Sequence, residues 1–248
     1  MKIAIIGYGK MGVAIEKIAI ERGHEVVLKI NLDNMLEFTI ENLKKCDVAI
    51  DFTEPSSVIT NIYKCFEANL PVVVGTTGWY NKFEEIKSAC LTTNNTLLHA
   101  TNYSLGVNLF FELNKKLAQL MNNYSNYNVM MEEIHHTEKK DAPSGTAITL
   151  AKGIIENLDR KNKWVNNQTF EENELSIISK RINDVPGTHE ICYQSAEDDI
   201  TITHTAYNRN GFALGAVIGA EYIHNKKGIF TMKEVLFSLP NPSEGGAM

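Results

Sequence analysis

The densest run of reactive side chains is Glu133-Ile134-His135-His136-Thr137-Glu138-Lys139-Lys140-Asp141-Ala142-Pro143-Ser144-Gly145-Thr146. It leaves an apolar, strand-like segment and ends where a helix can start. Imidazoles have near-neutral pKa values, so His135 and His136 are natural proton donors. Pro143 and Ser144 suit first helical positions, and Ser144, Gly145 and Thr146 can turn backbone amides toward a carboxylate. Lys139 would add a full positive charge to that clamp. The same residues admit two other readings, a solvated loop and a His-His-Asp metal site. Adjacent histidines on an extended segment point in opposite directions, and no cysteine or second acidic cluster lies nearby, so no metal is expected.

A second group of chemically informative residues opens the chain. Gly7-Tyr8-Gly9-Lys10-Met11-Gly12 follows a short apolar run and precedes a helical pattern, and Asp33 comes about twenty positions later. In that context Gly7 makes a tight turn, Gly9 lets backbone approach a pyrophosphate, and Gly12 permits close helix–strand packing. The helix N-terminus offers amides and partial positive charge to the phosphates. Asp33 could accept hydrogen bonds from an adenosine ribose, favouring NADH. Lys10 could pair with a phosphate, including the 2′-phosphate of NADPH, so the choice between the two stays open. Gly75-Thr76-Thr77-Gly78 and Ala100-Thr101-Asn102-Tyr103-Ser104 follow further apolar runs. If the sheet is parallel they fall at its ligand-binding edge, where small residues suit approach to a nicotinamide and its carboxamide. Asp51 also ends a strand, and capping of the turn at residues 54–57 explains it equally well.

These residues need elements to carry them. Strands are predicted at residues 2–6, 25–30, 47–52, 72–74 and 96–100, alternating with helices at 11–22, 56–69 and 82–91. A serine caps the second of these helices. The alternation implies a Rossmann-type, doubly wound parallel sheet. From residue 104 the pattern changes: an amphipathic helix at 107–121, a strand at 129–134, a helix at 146–158 and a polar stretch over 159–173. Three alternating strands follow near 176–181, 190–195 and 200–207. This is an α+β domain with a mainly antiparallel or mixed open sheet. Residues 212–222 and 230–237 read as helical and able to fold back on the first domain. The expected organisation is therefore a dinucleotide-binding domain (1–103 and 212–240), a substrate-binding and oligomerisation domain (104–211), and a disordered tail (241–248).

The chain has 248 residues, enough for two modest cores, with 44% hydrophobic and 22% charged residues. A formal charge of −6 argues against nucleic acid held by bulk electrostatics. An anionic ligand would need a local cationic pocket, and only four arginines exist: Arg22, Arg160, Arg181 and Arg209. No apolar run approaches the ~20 residues of a membrane span, and Met1-Lys2 leads directly into a short apolar strand. A cytoplasmic location without membrane contact is expected. The four cysteines, Cys46, Cys65, Cys90 and Cys192, are widely spaced, which disfavours disulfides and zinc.

Together these motifs resemble the 4-hydroxy-tetrahydrodipicolinate reductase (dihydrodipicolinate reductase) family over nearly the whole chain. The resemblance rests on the Gly-Tyr-Gly-Lys-Met-Gly turn, Ile50-Asp51-Phe52-Thr53, Gly75-Thr76-Thr77-Gly78, Asn102-Tyr103-Ser104 and above all His135-His136-x-x-Lys139-x-Asp141-Ala142-Pro143-Ser144-Gly145-Thr146-Ala147. Later matches are Arg181…Gly187-Thr188-His189, Ile202-Thr203-His204 and Arg209…Gly215-Ala216. It implies hydride transfer from NADH or NADPH to a cyclic, imine-containing dicarboxylate, followed by protonation. His135 would be the general acid, Lys139 would stabilise charge, and His136, Ser144, Gly145, Thr146 and Arg209 would hold the substrate. Phe52 would join the glycine turn, Asp33 and the two loops at the cofactor. A homotetramer is also implied. The chain departs from the family pattern in its shorter glycine turn, and at Trp79, Thr101 and Asn183. For Arg181, His189 and His204, packing explains their presence at least as well as ligand contact. Two other functions remain open: another two-domain amino-acid-pathway dehydrogenase, and a catalytically silent NAD(P)-sensing protein. The first gives no role to His-His-x-x-Lys, and the second predicts loss of His135 or Lys139, both of which are present.

Overall fold

The computed structural model describes residues 1–237, so the tail expected at 241–248 lies outside the described residues. The chain forms two compact units, Met1–Leu105 with the chain from Arg209 onward, and Gly106–Asn208.

In the first unit the elements run β1 (Lys2–Ile6), α1 (Lys10–Glu21), β2 (Glu25–Ile30), α2 (Ile40–Leu43), β3 (Val48–Asp51), α3 (Val58–Glu67), β4 (Val72–Val74), α4 (Phe83–Thr92) and β5 (Thr96–His99). The second unit adds α5 (Leu105–Met121), β6 (Asn128–His135), α6 (Gly145–Ile155), β7 (Lys163–Val165), β8 (Glu174–Arg181), β9 (Gly187–Gln194) and β10 (Asp199–Ala206). The chain then returns to the first unit with α7 (Asn210–Ile223), β11 (Gly228–Phe230) and α8 (Met232–Phe237).

The first sheet is wholly parallel, in the order β11-β5-β4-β3-β1-β2. Its strands are nearly continuous apolar runs because both faces are covered. Ala4 and Ile6 of β1 point into a core with Val58, Ile62 and Ile86 of α3 and α4. Ile3 and Ile5 point the other way, toward Ile15 and Ala19 of α1 and Ala213, Ala216 and Val217 of α7. This is a doubly wound sheet, and its connections reverse direction between β1 and β3. An ion pair and a histidine contact fix α7 beside α1 and β2. Arg22 donates to both carboxylate oxygens of Glu221 at 2.8 and 2.7 Å, and His24 Nε2 lies 2.7 Å from the same group.

The second sheet is mixed, in the order β10-β9-β6-β8-β7. β6 is antiparallel to β9 and parallel to β8. One face packs on α5 and α6 through Val129, Met131, Ile177, Ile191, Leu150 and Ile154. On the opposite face Met130, Glu190 and Thr203 are exposed.

Three local expectations are corrected. Residues 230–237 are not one helix: Phe230 ends β11, which pairs with β5 as a sixth strand, and the helix starts at Met232. The polar stretch 159–173 contains the edge strand β7, whose three residues are too few to show alternation. The serine before α3 does not cap it, since the Ser57 hydroxyl donates instead to the Glu54 carbonyl at 3.2 Å.

Candidate active site

Two groups of candidate residues emerge, one in each unit. In the first, the ends of β1 and β3 meet where the strand order reverses, the place at which open α/β sheets bind ligands. The amides of Gly7 and Tyr8 donate to the Ile30 carbonyl at 3.0 and 2.9 Å, locking the turn onto β2. Gly7 has φ +90°, and a Cβ there would lie 2.2 Å from the Phe52 carbonyl oxygen, so only glycine fits. A Cβ on Gly12 would lie 2.7 Å from the Gly7 carbonyl oxygen. Above Gly9 nothing lies within 4 Å of where a Cβ would be. A closed inner turn with an open outer backbone fits a pyrophosphate. Lys10 is exposed and Met11 half-buried at the start of α1, while the Tyr8 hydroxyl donates to Glu16, whose carboxylate also holds Lys29 at 2.5 Å. Asp33 is exposed on a 3-10 turn spanning Leu32–Glu37.

Gly75 follows β4 and packs against the Phe52 ring so closely that a Cβ would sit 2.2 Å from Cζ. That ring is tilted 57° against Tyr103 at 5.8 Å. Tyr103 is buried, its hydroxyl lying 2.9 and 3.2 Å from the Val74 and Leu98 carbonyl oxygens. It therefore anchors its loop from within, next to half-buried Ala100 and Asn102 and exposed Thr101. Thr76 is buried and Thr77 exposed.

Asp51 is the organiser that the sequence did not reveal, and capping of the following turn is not its main task. It is fully buried and accepts from Thr53 N (3.2 Å), Thr53 Oγ1 (2.9 Å), Thr76 Oγ1 (2.7 Å) and Asn61 Nδ2 (2.8 Å). Burial pushes its carboxyl above the usual range, opposed by those hydrogen bonds. The network ties the end of β3 to the Thr76 loop, which Trp79 closes by donating to the Thr76 carbonyl at 2.8 Å.

In the second unit, alternation along β6 turns Val129, Met131, Glu133 and His135 inward. Glu133 is fully buried. His135 Nδ1 lies 3.1 Å from its Oε2, and Arg181 Nη2 and the Ser144 amide lie 3.1 Å from its Oε1. Burial works against the charge, but His135, Ser144, Ser179 and Arg181 outweigh it and hold the carboxyl far below the usual range. His189 packs edge-on to His135, with ring centroids 5.1 Å apart, and its Nε2 lies 3.2 Å from Ser144 Oγ. Burial first, then the neighbouring His135, lowers its pKa to about 4, so it is neutral near pH 7.

Ser144 is the N-cap of α6, accepting from Ala147 N at 3.2 Å, and the helix starts at Gly145 rather than at Pro143. Its own amide is committed to Glu133, which leaves the exposed Gly145 at the helix terminus, with Thr146 next in the first turn. Arg181 also donates to the Asp141 carbonyl at 2.5 Å and approaches the Lys139 carbonyl at 3.4 Å. The guanidinium thus pins the segment that presents Lys139, whose ammonium lies 2.8 Å from Asp141 Oδ1. His136 follows β6 half-buried on the other side of the strand, its carbonyl accepting from Lys139 N at 3.1 Å. The structure therefore gathers His135, Lys139, Ser144 and Gly145 into one unit. Arg209, exposed at the head of α7, belongs to the other. Glu133, His135 and His189 also converge closely enough to ligate a cation, their ligand atoms lying within 4.8 Å of one another. The guanidinium on the same carboxylate already supplies that positive charge.

Family models for dihydrodipicolinate reductase match both parts of the chain, the N-terminus over residues 1–103 and the C-terminus over 106–236. The 4-hydroxy-tetrahydrodipicolinate reductase of Christiangramia forsetii is 48% identical over 239 residues, 96% of this chain and 99% of that protein. The enzyme of the same name from Buchnera aphidicola subsp. Schizaphis graminum is 34% identical over 200 residues, 77% of this chain and 72% of its own. In fold, the chain is similar to a dipicolinate-bound dihydrodipicolinate reductase from Paenisporosarcina sp. TG-14, with TM-score 0.74, 24% identity and coverage of 93% of this chain and 97% of that one. With both halves matched and high identity across almost the whole length, the chain belongs to the dihydrodipicolinate reductase family of nicotinamide-dependent oxidoreductases.

Proposed function

We propose that the protein reduces 4-hydroxy-tetrahydrodipicolinate to tetrahydrodipicolinate in lysine and diaminopimelate biosynthesis, with His135 as general acid and Lys139 stabilising developing charge. The observation that carries this reading is the second-unit cluster: a buried imidazole 3.1 Å from a buried carboxylate, with a lysine and a helix N-terminus in the same short segment. Bound NADH or NADPH supplies the hydride. The chain's own residues supply the rest. Gly145 and Thr146, at the positive end of α6, and Lys139 hold a carboxylate of the substrate, with His136 and Arg209 as further contacts. Lys139 offsets negative charge that develops as hydride arrives. His135 gives up the proton that completes the reduction.

The glycine turn, Phe52, the Gly75-Thr76-Thr77 loop and residues 100–103 hold the cofactor. NADH is the preferred donor in this reading. Residues 31–43 carry carboxylates at Asp33, Glu37 and Glu41 and no lysine or arginine, and Lys29 is tied to Glu16. Lys10 keeps NADPH usable. The exposed face of the second sheet is the surface assigned to a homotetramer, to be checked by analytical ultracentrifugation. No described helix is long and apolar enough to cross a membrane.

The decisive assay supplies the product of dihydrodipicolinate synthase together with each nicotinamide donor and follows the nicotinamide absorbance. Loss of absorbance only when that product is present supports the reading, and its absence overturns it. His135→Gln should lower turnover by roughly 10²–10⁴-fold with cofactor affinity retained. Lys139→Ala should lose turnover and substrate affinity together. A variant with wild-type turnover removes that residue from the mechanism.

A further inference from the structure

His135 does not stand alone on its strand. Strand register places Ser179 of β8 and His189 of β9 on either side of Glu133, and Arg181 of β8 beside His135. A carboxylate buried this deeply needs donors for both oxygens. Oε1 has two, Arg181 Nη2 and the Ser144 amide. Oε2 faces the Nδ1 edge of His135 at 3.1 Å, and the Ser179 hydroxyl of β8 is the further donor acting on this carboxylate. His189 Nε2 is 3.9 Å away and turned to Ser144 Oγ.

The other edge of the His135 ring is kept bare. It faces Gly187, where even a single Cβ would lie 3.0 Å from Nε2. A carboxylate serving only as counter-ion to Arg181 would explain neither the pairing of Oε2 with Nδ1 nor the open Nε2 edge. We propose that Glu133 is the positioning residue of the proton-transfer step, holding Nδ1–H of His135 so that the proton leaves from Nε2. This rests on the assignment of His135 as general acid. In the step, the Nε2–H bond breaks and the proton passes to the electron pair that hydride arrival leaves on the substrate. The imidazolium becomes a neutral, Nδ1-protonated imidazole, and Glu133 stays ionised throughout. Such a carboxylate fixes the tautomer and stabilises the charged donor, as an orienting acid does in other imidazole-based sites.

The charged groups nearest the ring are Glu133, whose Oε2 faces Nδ1, and Arg181, paired with the same carboxylate; Lys139 and Asp141 pair with each other on the segment that follows. His189 is neutral, and His204 of β10 lies beyond it, paired in register with His189. His136 follows directly in sequence. Removing the Glu133 charge leaves the Arg181 guanidinium, beside His135 in register, without its carboxylate.

The test uses the intact protein. In wild type, 15N NMR reads the tautomer of neutral His135, assigned by the resonance lost in His135→Gln. A proton on Nδ1 is expected, and neutral His135 carrying it on Nε2 overturns the proposal. In Glu133→Gln, the His135 titration midpoint should fall by at least one pH unit. The high-pH limb of kcat should move with it, and kcat at neutral pH should drop about 10²-fold, with KM for NADH within twofold of wild type. Glu133→Asp should bring the midpoint back toward wild type. Loss of kcat with an unmoved midpoint and limb is what a merely structural role would give, and it overturns the proposal. If Glu133→Gln does not fold, the wild-type tautomer decides. Undiminished turnover in His135→Gln would instead discard the general-acid assignment, a result the tautomer measurement does not share.

Discussion

Replacing Gly75 by alanine tests whether the Phe52 ring and the loop after β4 act as one unit in holding NADH. The backbone at Gly75 lies outside the left-handed region, so the added methyl brings no conformational strain of its own. Its three nearest contacts are all with the Phe52 ring, at 2.2, 2.3 and 2.6 Å from three ring carbons. Ordinary carbon contacts lie near 3.5–4.0 Å, so the ring must retreat by more than about 1 Å, away from its tilted packing on Tyr103. Overpacking of this kind costs about 1–3 kcal/mol. If that cost falls on the conformation that binds NADH, the Kd rises by roughly 5- to 150-fold. The measurement is a double-mutant cycle: NADH fluorescence titration and thermal melting of wild type, Gly75→Ala, Phe52→Ala and the double variant. In the Phe52→Ala background the methyl meets no ring, so Gly75→Ala should become nearly silent, giving a coupling of about 1–3 kcal/mol. Strictly additive effects, or wild-type NADH affinity in Gly75→Ala, would refute the steric reasoning and the shared role of the two residues.

The remaining predictions concern the supporting groups. Asp51→Ala leaves Thr76, Thr53 and Asn61 without their shared acceptor, at about 3 kcal/mol in total. The Tm should fall by roughly 6–12 °C and NADH binding should weaken; an unchanged melt would mean that the network contributes nothing. The folded-state pKa of His189, about 4, lies below the unchanged value of 6.5, so the unfolded chain takes up this proton first as pH falls. Its contribution to stability is complete above pH 6.5 and is lost progressively down to about pH 4, up to roughly 3 kcal/mol. Urea denaturation of His189→Gln should therefore show a shallower pH dependence than wild type in that window, and parallel curves would contradict the assignment. Asp33→Ala should raise kcat/KM for NADPH relative to NADH by about tenfold, because a carboxylate no longer faces the 2′-phosphate; an unchanged ratio would free Asp33 from any part in cofactor choice.

Much of the fold was legible because its signals are local. The apolar run of β1, the glycines that follow and the helical spacing of Ile15, Ile18 and Ala19 identify the first βα unit without tertiary information. β11 and β7 escaped because they are short edge strands without a fully buried residue, unlike the equally short but central and wholly apolar β4, and their strand character comes from the neighbour they pair with. The site divides in the same way. His135, Lys139 and Ser144 announce themselves by residue type within one short segment. Glu133 is in that segment too, but its role depends on Arg181 and His189, which come from β8 and β9 and meet it only through strand register. Asp51 was ambiguous because a carboxylate at a strand end can cap a turn as easily as organise a core. Only its burial beside Thr76 and Asn61 separates the two. Ser144 was placed one position too far into the helix, since its side chain serves the cap while its amide serves Glu133.

The return of the chain to the nucleotide unit has a consequence for its biosynthesis. One face of the parallel sheet, with Ile3, Ile5, Ile50, Val73 and Leu98, is covered by Ala213, Ala216, Val217 and Ala220 of α7. That helix is made more than a hundred residues after β5. At about 5–20 residues per second the nascent sheet waits on the order of ten seconds with that surface covered only by Ile15 and Ala19 of α1. The fit it waits for is tight, since a Cβ on Gly215 would overlap the Tyr103 carbonyl oxygen at 1.7 Å. A message truncated before residue 210 would therefore yield a sticky half-built sheet, and folding of the dinucleotide site is a late, post-translational event that a ribosome-bound chaperone has time to guard.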